Sequence, residues 1–374
     1  MIVRFKTFVV GIYLRIKENK GCIMKFVING KFLTRMLSGQ ERFAYELISE
    51  LDRIVPADFI EIVAPKSVKK LPRYKNIKVK IYGDMTPILW EQTAYPYYLW
   101  KHGYIGINLC TTCPIIKPDI TVIHDICQVV NKNFIQNIYA ALSYVYYATM
   151  RRSVLCFSNI ILTVSKFSKK EIVKHYGFPK EKIHVLGNGW QHINRIEDNS
   201  TILTKYPRII PHEYFLAASS LTPQKNFRWI REVAKRNPDK QFVISGKKVG
   251  LTTKDDSETG RDEKNILYLG YTSDADLKCL MKNCKAFIHP AIYEGFGIPP
   301  LEALSQGAKV IVSNRASLPE IFQQSAYYID PYNYDVDLDK LLKKNVSPPD
   351  DILQYFSWKT FAKKLYVILL KYNN

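Results

Sequence analysis

The stretch Pro290-Ala-Ile-Tyr-Glu-Gly-Phe-Gly-Ile-Pro-Pro-Leu-Glu-Ala303 decides how this chain of 374 residues is read. It follows the apolar run Ala286–His289, so the chain leaves the C-terminal end of a strand, turns and enters a helix. Open parallel sheets bind their ligands at that edge. Gly295 and Gly297 let backbone amides approach a ligand closely, and the helix start just beyond them favours phosphate. Glu294 and Glu302 flank the turn. Carboxylates in that place suit hydrogen bonding to sugar hydroxyls, because phosphate would be repelled. A glycine-punctuated turn with two surface glutamates would explain the glutamates alone, but not the whole string.

Working outward, short apolar runs alternate with helix-period segments. In the first half the strand candidates are Lys25–Asn29, Phe59–Ala64, Lys78–Tyr82, Ile105–Cys110, Ile120–His124, Ile160–Val164 and Ile183–Leu186. Most are rich in Ile and Val, as strands buried on both faces should be. Between the first two, Phe43, Leu47, Leu51 and Ile54 recur at helical spacing. The second half offers Tyr214–Ala218, Phe242–Ser245, Ile266–Leu269, Ala286–His289, Lys309–Val312 and Tyr327–Ile329, separated by helical segments near 226–236, 274–283, 299–306 and 317–323. Alternation of this kind predicts an α/β protein with two doubly wound parallel sheets. The length also suits two domains. The expected boundaries are a basic extension over 1–23, a first domain over 24–193, a second over 194–357 and an amphipathic closing helix over 358–374.

The formal net charge is +20. Residues 1–80 hold 17 Lys/Arg against 7 Asp/Glu and so carry +10 of it. A basic face recruits polyanions: nucleotide phosphates, nucleic acid or anionic lipid. No arginine-rich arm, zinc-finger spacing or RNA-binding aromatic signature accompanies the charge, which argues against nucleic acid. The seven cysteines are scattered and odd in number, a pattern of reduced thiols. Cys110-Thr-Thr-Cys113 has no second CxxC and no neighbouring His pair, so ordinary thiols are expected there too. No run of about 20 apolar residues exists to span a bilayer. Met24 directly precedes the first strand, which leaves residues 1–23 as an upstream start or a membrane-touching extension.

The opening stretch resembles the Glu-x7-Glu signature of retaining glycosyltransferases of family 4, which have the GT-B fold: two Rossmann-like domains facing a cleft, with a C-terminal helix closing back. The resemblance implies that Glu294 contacts a donor sugar and Glu302 the nucleotide ribose, with Gly295, Phe296, Gly297 and Ile298 completing the donor site. Leu37-Ser-Gly-Gln-Glu-Arg-Phe-Ala44 is similar to the family's first glycine loop, which would face Gly39 to the donor diphosphate and put Arg42 on the acceptor side. Val122-Ile-His-Asp125 matches the His-Asp pair at a strand end, so His124 would line the reaction site with Asp125 beside it. Ser219-Ser-Leu-Thr-Pro-Gln-Lys-Asn226 matches the first turn of the second domain and makes Lys225 the cation for the leaving diphosphate. Many members carry an arginine where this chain has Ser220 or Gln224, so one strong cation holds the diphosphate unless Arg42 or Arg315 reaches in.

Charge building on a leaving diphosphate can be met electrostatically by Lys225, the amides near Gly39 and the helix start after Gly297. No catalytic metal or cofactor is expected. Asp274-Ala-Asp276 reads as helix capping and Asp335-Val-Asp337 as a polar loop. The sequences around Trp90-Glu-Gln92, Asn108-Leu-Cys110 and Thr121–Asp125 resemble bacterial surface-polysaccharide transferases of the rhamnosyl or mannosyl kind. That resemblance implies a GDP-, dTDP- or UDP-sugar donor, a lipid-linked saccharide acceptor and work on the anionic inner face of the cell membrane, in the cytoplasm. Two other readings are a different enzyme on the same architecture, such as a nucleotide-sugar epimerase or phosphorylase, and a degenerate basic scaffold on membrane or nucleic acid. The first lacks its acid–base set or pyridoxal context. The second is disfavoured by the presence of Glu294, Glu302 and Lys225.

Overall fold

A computed structural model describes residues 25–130, 138–246 and 264–372; the expected basic extension over 1–23 lies outside them. The first sheet holds β1 (Phe26–Asn29), β2 (Ile60–Ala64), β3 (Lys78–Ile81), β4 (Ile105–Asn108), β5 (Ile120–Val122), β6 (Ile160–Thr163) and β7 (Ile183–Val185), in the spatial order β3-β2-β1-β4-β5-β6-β7. The second holds β8 (Tyr214–Ala218), β9 (Gln241–Ser245), β10 (Ile266–Gly270), β11 (Ala286–His289), β12 (Val310–Ser313) and β13 (Tyr327–Ile329), in the order β10-β9-β8-β11-β12-β13. All five pairings of the second sheet are parallel, as are those from β3 to β6 in the first. These are the strands the apolar runs predicted, most of them trimmed by a residue or two.

Strand burial follows position in the sheet. Every residue of β1, β2, β8 and β11 is buried, whereas β3, at the edge, exposes Lys78, Lys80 and Ile81. Lysines on an edge strand discourage pairing with a further strand. Helix α1 (Gly39–Asp52) turns Phe43, Ala44, Leu47, Ile48 and Leu51 inward. Helix α2 (Phe227–Arg236) buries Trp229, Ile230, Val233 and Ala234 in a core that includes Phe215 and Phe242. Full burial of one such side chain contributes roughly 1.5–3 kcal/mol. The exposed Glu232 pairs with Lys235 and Arg236 contribute at most about 1 kcal/mol each, so the apolar face holds this helix in place.

In each sheet the strand order reverses once, between β1 and β4 and between β8 and β11. Crossovers leave in opposite directions at such a point and open a crevice at the carboxyl ends of the two central strands.

The chain divides into two compact units. One comprises residues 1–123, 147–162 and 359–374, and the other residues 124–146 and 163–358. The closing helix (Trp358–Tyr372) supplies the last segment of the first unit, where Tyr366 packs on Phe59 and Tyr372 on Phe26. Among the described residues no helix is long and apolar enough to cross a membrane.

Candidate functional site

The site of the second unit lies at the reversal between β8 and β11. After β8 the chain turns through Ser219–Asn226, and after β11 through Pro290–Gly297. The backbone N–H of Ile292 donates to the carbonyl of Gln224 (2.9 Å), which joins the two turns. Asn226 reinforces the joint. Its backbone is left-handed (φ 56°), and its buried amide donates to the carbonyls of Pro290 (3.2 Å) and Pro331 (2.9 Å). On the far side Ser317 Oγ donates to the carbonyl of Glu294 (2.8 Å), and Ser313 Oγ to that of Ala291 (2.5 Å).

This framework brings Lys225 and Glu294 into a direct ion pair, with both side chains largely buried. His289, the last residue of β11, places Nε2 2.8 Å from the same carboxylate oxygen. Burial alone would raise the Glu294 carboxyl, but the Lys225 charge and the His289 hydrogen bond outweigh it and hold the group well below the usual carboxylate range. Burial lowers His289, against the pull of Glu294. The consistent state is an ionised Glu294 between an ammonium and a neutral imidazole that donates Nε2–H.

Glycine is required at 295. A Cβ there would meet the carbonyl oxygen of His124 at 2.8 Å and Asp125 Cβ at 3.0 Å. Ser168 Oγ donates to the His124 carbonyl (3.1 Å) and lies 3.4 Å from that of Gly295. The structure thus brings His124 and Asp125 against the turn that carries Glu294. Asp125 Oδ1 also accepts the N–H of Cys127 (2.9 Å). Phe296 is buried edge-on against Phe356 (5.1 Å). Gly297, at φ +97°, caps helix α3 (Ile298–Ser305). Pro299 and Pro300 remove two of the amides that a helix start normally offers an anion. An anion at this end would meet the N–H of Ile298 and the loop amides before it.

Glu302 lies one turn into α3, nearly buried. Its Oε1 is 2.5 Å from His192 Nε2, and His192 Nδ1 lies 3.1 Å from the indole nitrogen of Trp358. Arg315 is half exposed, 3.9 Å from Asp330 and stacked over Tyr332. Arg42, half-buried, sits in the first turn of α1 in the first unit, and Gly39 opens that helix, exposed. One aspartate of each pair serves a helix start: Asp276 exchanges hydrogen bonds with Ser273 at one, and Asp337, expected in a loop, accepts the N–H of Lys340 at another.

In the first unit, the reversal between β1 and β4 holds a buried polar network. Asn29 Nδ2 donates to Glu91 (2.9 Å) and Asn108 (3.0 Å), and Lys31 Nζ donates to Glu91 (2.6 Å) and Thr112 (3.3 Å). Burial lowers Lys31, while its partner Glu91 opposes the shift. Beside the pair lies a small recess, open to solvent and lined also by Arg35, Phe32 and Leu109. Glu91 and Asn108 belong to the two short sequences already singled out, and Asn29 joins them. Cys110 and Cys113 are buried free thiols, and burial pushes Cys113 up to about 12. Neither is a ready thiolate.

His289, His192, Asn226 and Lys31 were not among the residues picked from sequence. His192, Asn226 and Lys31 act through partners distant in the chain, whereas His289 reaches Glu294 only five residues on, from the end of the strand that leads into the same turn.

The two doubly wound parallel sheets have the arrangement of the GT-B fold. Residues 204–349 match the family model "Glycosyl transferases group 1". The chain is 32% identical over 218 residues to O-antigen chain mannosyltransferase B of Escherichia coli, an alignment that spans 55% of this chain and 54% of that protein, about half of each. It is 27% identical over 299 residues to O-antigen chain mannosyltransferase RfbU of Salmonella typhimurium, covering 76% and 79%. In fold it is similar to sucrose-phosphate synthase of Thermosynechococcus elongatus, with a TM-score of 0.69, 11% identity and coverage of 93% and 99%.

Proposed function

We propose that this chain is a retaining, metal-independent glycosyltransferase that moves a hexose or deoxyhexose from a nucleotide sugar to a saccharide acceptor during surface-polysaccharide synthesis. The two mannosyltransferase relatives favour mannose as the sugar. The observation that carries the reading is the ionised Glu294, set between Lys225 and His289 at the β8–β11 reversal with Glu302 one helix turn beyond. A carboxylate kept charged accepts hydrogen bonds from sugar hydroxyls. The Lys225 ammonium beside it offsets charge that grows on a departing diphosphate, in a site where water is largely excluded. His124 and Asp125, packed against Gly295, would face the acceptor.

The acceptor is proposed to be lipid-linked, with the enzyme resting on the anionic inner face of the cell membrane. In the first unit, helices over Pro87–Gln92 and Ala94–His102 expose Ile88, Leu89, Tyr97 and Trp100. Thr93 Oγ1 joins the two helices through the Leu89 carbonyl (2.7 Å), and the Tyr97 and Trp100 rings lie 6.0 Å apart. Exposed Lys69, Lys70, Arg73 and Lys101 belong to the same unit. Apolar and aromatic side chains with lysines suit the headgroup boundary of an anionic bilayer.

The test is transfer of labelled mannose from GDP-, UDP- or dTDP-mannose into the lipid fraction of polysaccharide-producing membranes, with EDTA present. Label in that fraction from one donor supports the proposal. Label that appears only when a divalent cation is restored would contradict the metal-independent step.

A further inference from the structure

The second carboxylate of the site is held by a device that the family signature does not contain. An indole N–H can only donate, so the 3.1 Å contact from Trp358 Nε1 requires a lone pair on His192 Nδ1. The ring proton of His192 is then on Nε2, which donates to Glu302 Oε1 at 2.5 Å. One carboxylate oxygen is fixed in this way. The other accepts no hydrogen bond among the described residues, and the side chain keeps about a tenth of its surface exposed.

The segment that carries His192 is built to hold it still. Gly189 passes so close to Trp358 that a Cβ would meet its backbone nitrogen at 2.4 Å. Gln191 Oε1 accepts that same Trp358 N–H (3.2 Å), while its Nε2 donates to the carbonyl of Phe356 (3.2 Å). The Trp190 indole donates to the carbonyl of Leu353 (2.9 Å). Asn194, two residues beyond His192, accepts from Gln306 at the end of α3 (3.1 Å). Four consecutive residues, 189 to 192, thus engage the Leu353–Trp358 segment, and His192 and Asn194 engage α3. A buried histidine that merely filled space would need its two nitrogens satisfied. It would not need its proton fixed toward a carboxylate on the helix that follows the β11 turn.

We infer that His192, with its proton placed by Trp358, is a positioning residue that aims the free oxygen of Glu302 at the ribose hydroxyls of the bound nucleotide. The inference rests on the proposed donor site and adds to it the group that sets how well ribose is recognised.

Dissociation constants measured by calorimetry test it, using the full chain with GDP, UDP and dTDP, each against its 2′,3′-dideoxy counterpart. The native protein should favour the hydroxylated form of its nucleotide by about tenfold, the worth of one hydrogen bond to a charged group. His192→Leu should bring the two forms within about twofold. His192→Gln, which keeps an N–H donor near the Nε2 position, should retain most of the preference. Trp358→Phe, which keeps a ring but frees the histidine tautomer, should lose several-fold of it, and it serves if His192→Leu does not fold. Thermal melts establish that each variant is folded. A native preference that survives in every folded variant, yet vanishes in Glu302→Ala, overturns the role of His192 and leaves the donor site intact. Failure of the native protein to bind any of the six nucleotides overturns the donor site and this inference with it.

Discussion

The ammonium of Lys225 and the carboxylate of Glu294, 69 residues apart in sequence, meet where β8 and β11 run side by side. The pair is the meeting of two turns that leave the sheet at its single reversal of strand order. Replacing Lys225 by Ala removes the cation paired with Glu294, and Ser220 and Gln224 on the same turn carry no charge to replace it. The expected loss in transfer rate is about 10²–10³-fold, the usual cost of deleting one electrostatic stabiliser. Initial rates on folded protein check this. A variant within about twofold of the native rate would remove Lys225 from the mechanism.

The same pair sets an acid dependence. Glu294 has an ordinary value of 4.5 and is held well below it in the fold, despite burial, by Lys225 and His289. A depressed carboxyl contributes stability that is complete above the unfolded value and is lost as pH falls through the folded one. Between about pH 5 and pH 3 the melting temperature of the native protein should therefore fall more steeply than that of Glu294→Gln. Parallel curves would mean that the carboxylate is not so held.

In the first unit, the charge of Lys31 is buried and balanced by Glu91, which is fully buried. Glu91→Ala leaves that ammonium without its counter-charge, and breaking such a pair destabilises by about 3–5 kcal/mol. Chemical denaturation should show a loss of that size. The double variant Lys31→Met with Glu91→Leu should recover much of it, because well-packed apolar replacements of buried ion pairs are often tolerated.

Ile88 and Trp100 are 60% and 73% exposed, high values for such large apolar side chains. If they enter the headgroup region, Ile88→Ser with Trp100→Ser should weaken binding to phosphatidylglycerol vesicles by at least about tenfold, since each buried side chain contributes about 1.5–3 kcal/mol. Binding should also fall as salt rises. Co-sedimentation that is unchanged by the double substitution would exclude this face as the membrane contact.

Much of this was legible in the sequence, for identifiable reasons. The strands were readable because buried parallel strands are runs of Ile, Val and Phe bounded by polar turns, as in Ile60–Ala64 and Val310–Ser313. The helix over Ala94–His102 was not, because Tyr95, Pro96, Tyr97, Tyr98 and Trp100 are poor helix formers that become helical by packing, with Trp90, Tyr95 and Tyr98 in one core. Glu294, Glu302 and Lys225 stood out because short turns at strand ends leave local patterns. His289, His192 and Asn226 did not. The partner of His192 is 110 residues away, and Asn226 reaches a carbonyl 105 residues on, so their roles exist only once the sheet has formed. The prolines after Gly297 could be read directly, yet their removal of anion-binding amides matters only with the helix start in place.

Thermal-shift measurement of the native protein and Glu302→Ala with millimolar UDP, GDP, dTDP and ADP tests the central claim most directly, because a ligand that binds only the folded state must raise its melting temperature. The account predicts a shift with one nucleoside diphosphate that is lost in Glu302→Ala. No shift with any of the four, in a sample that melts cooperatively, would contradict a nucleotide-sugar site at Lys225, Glu294 and Glu302.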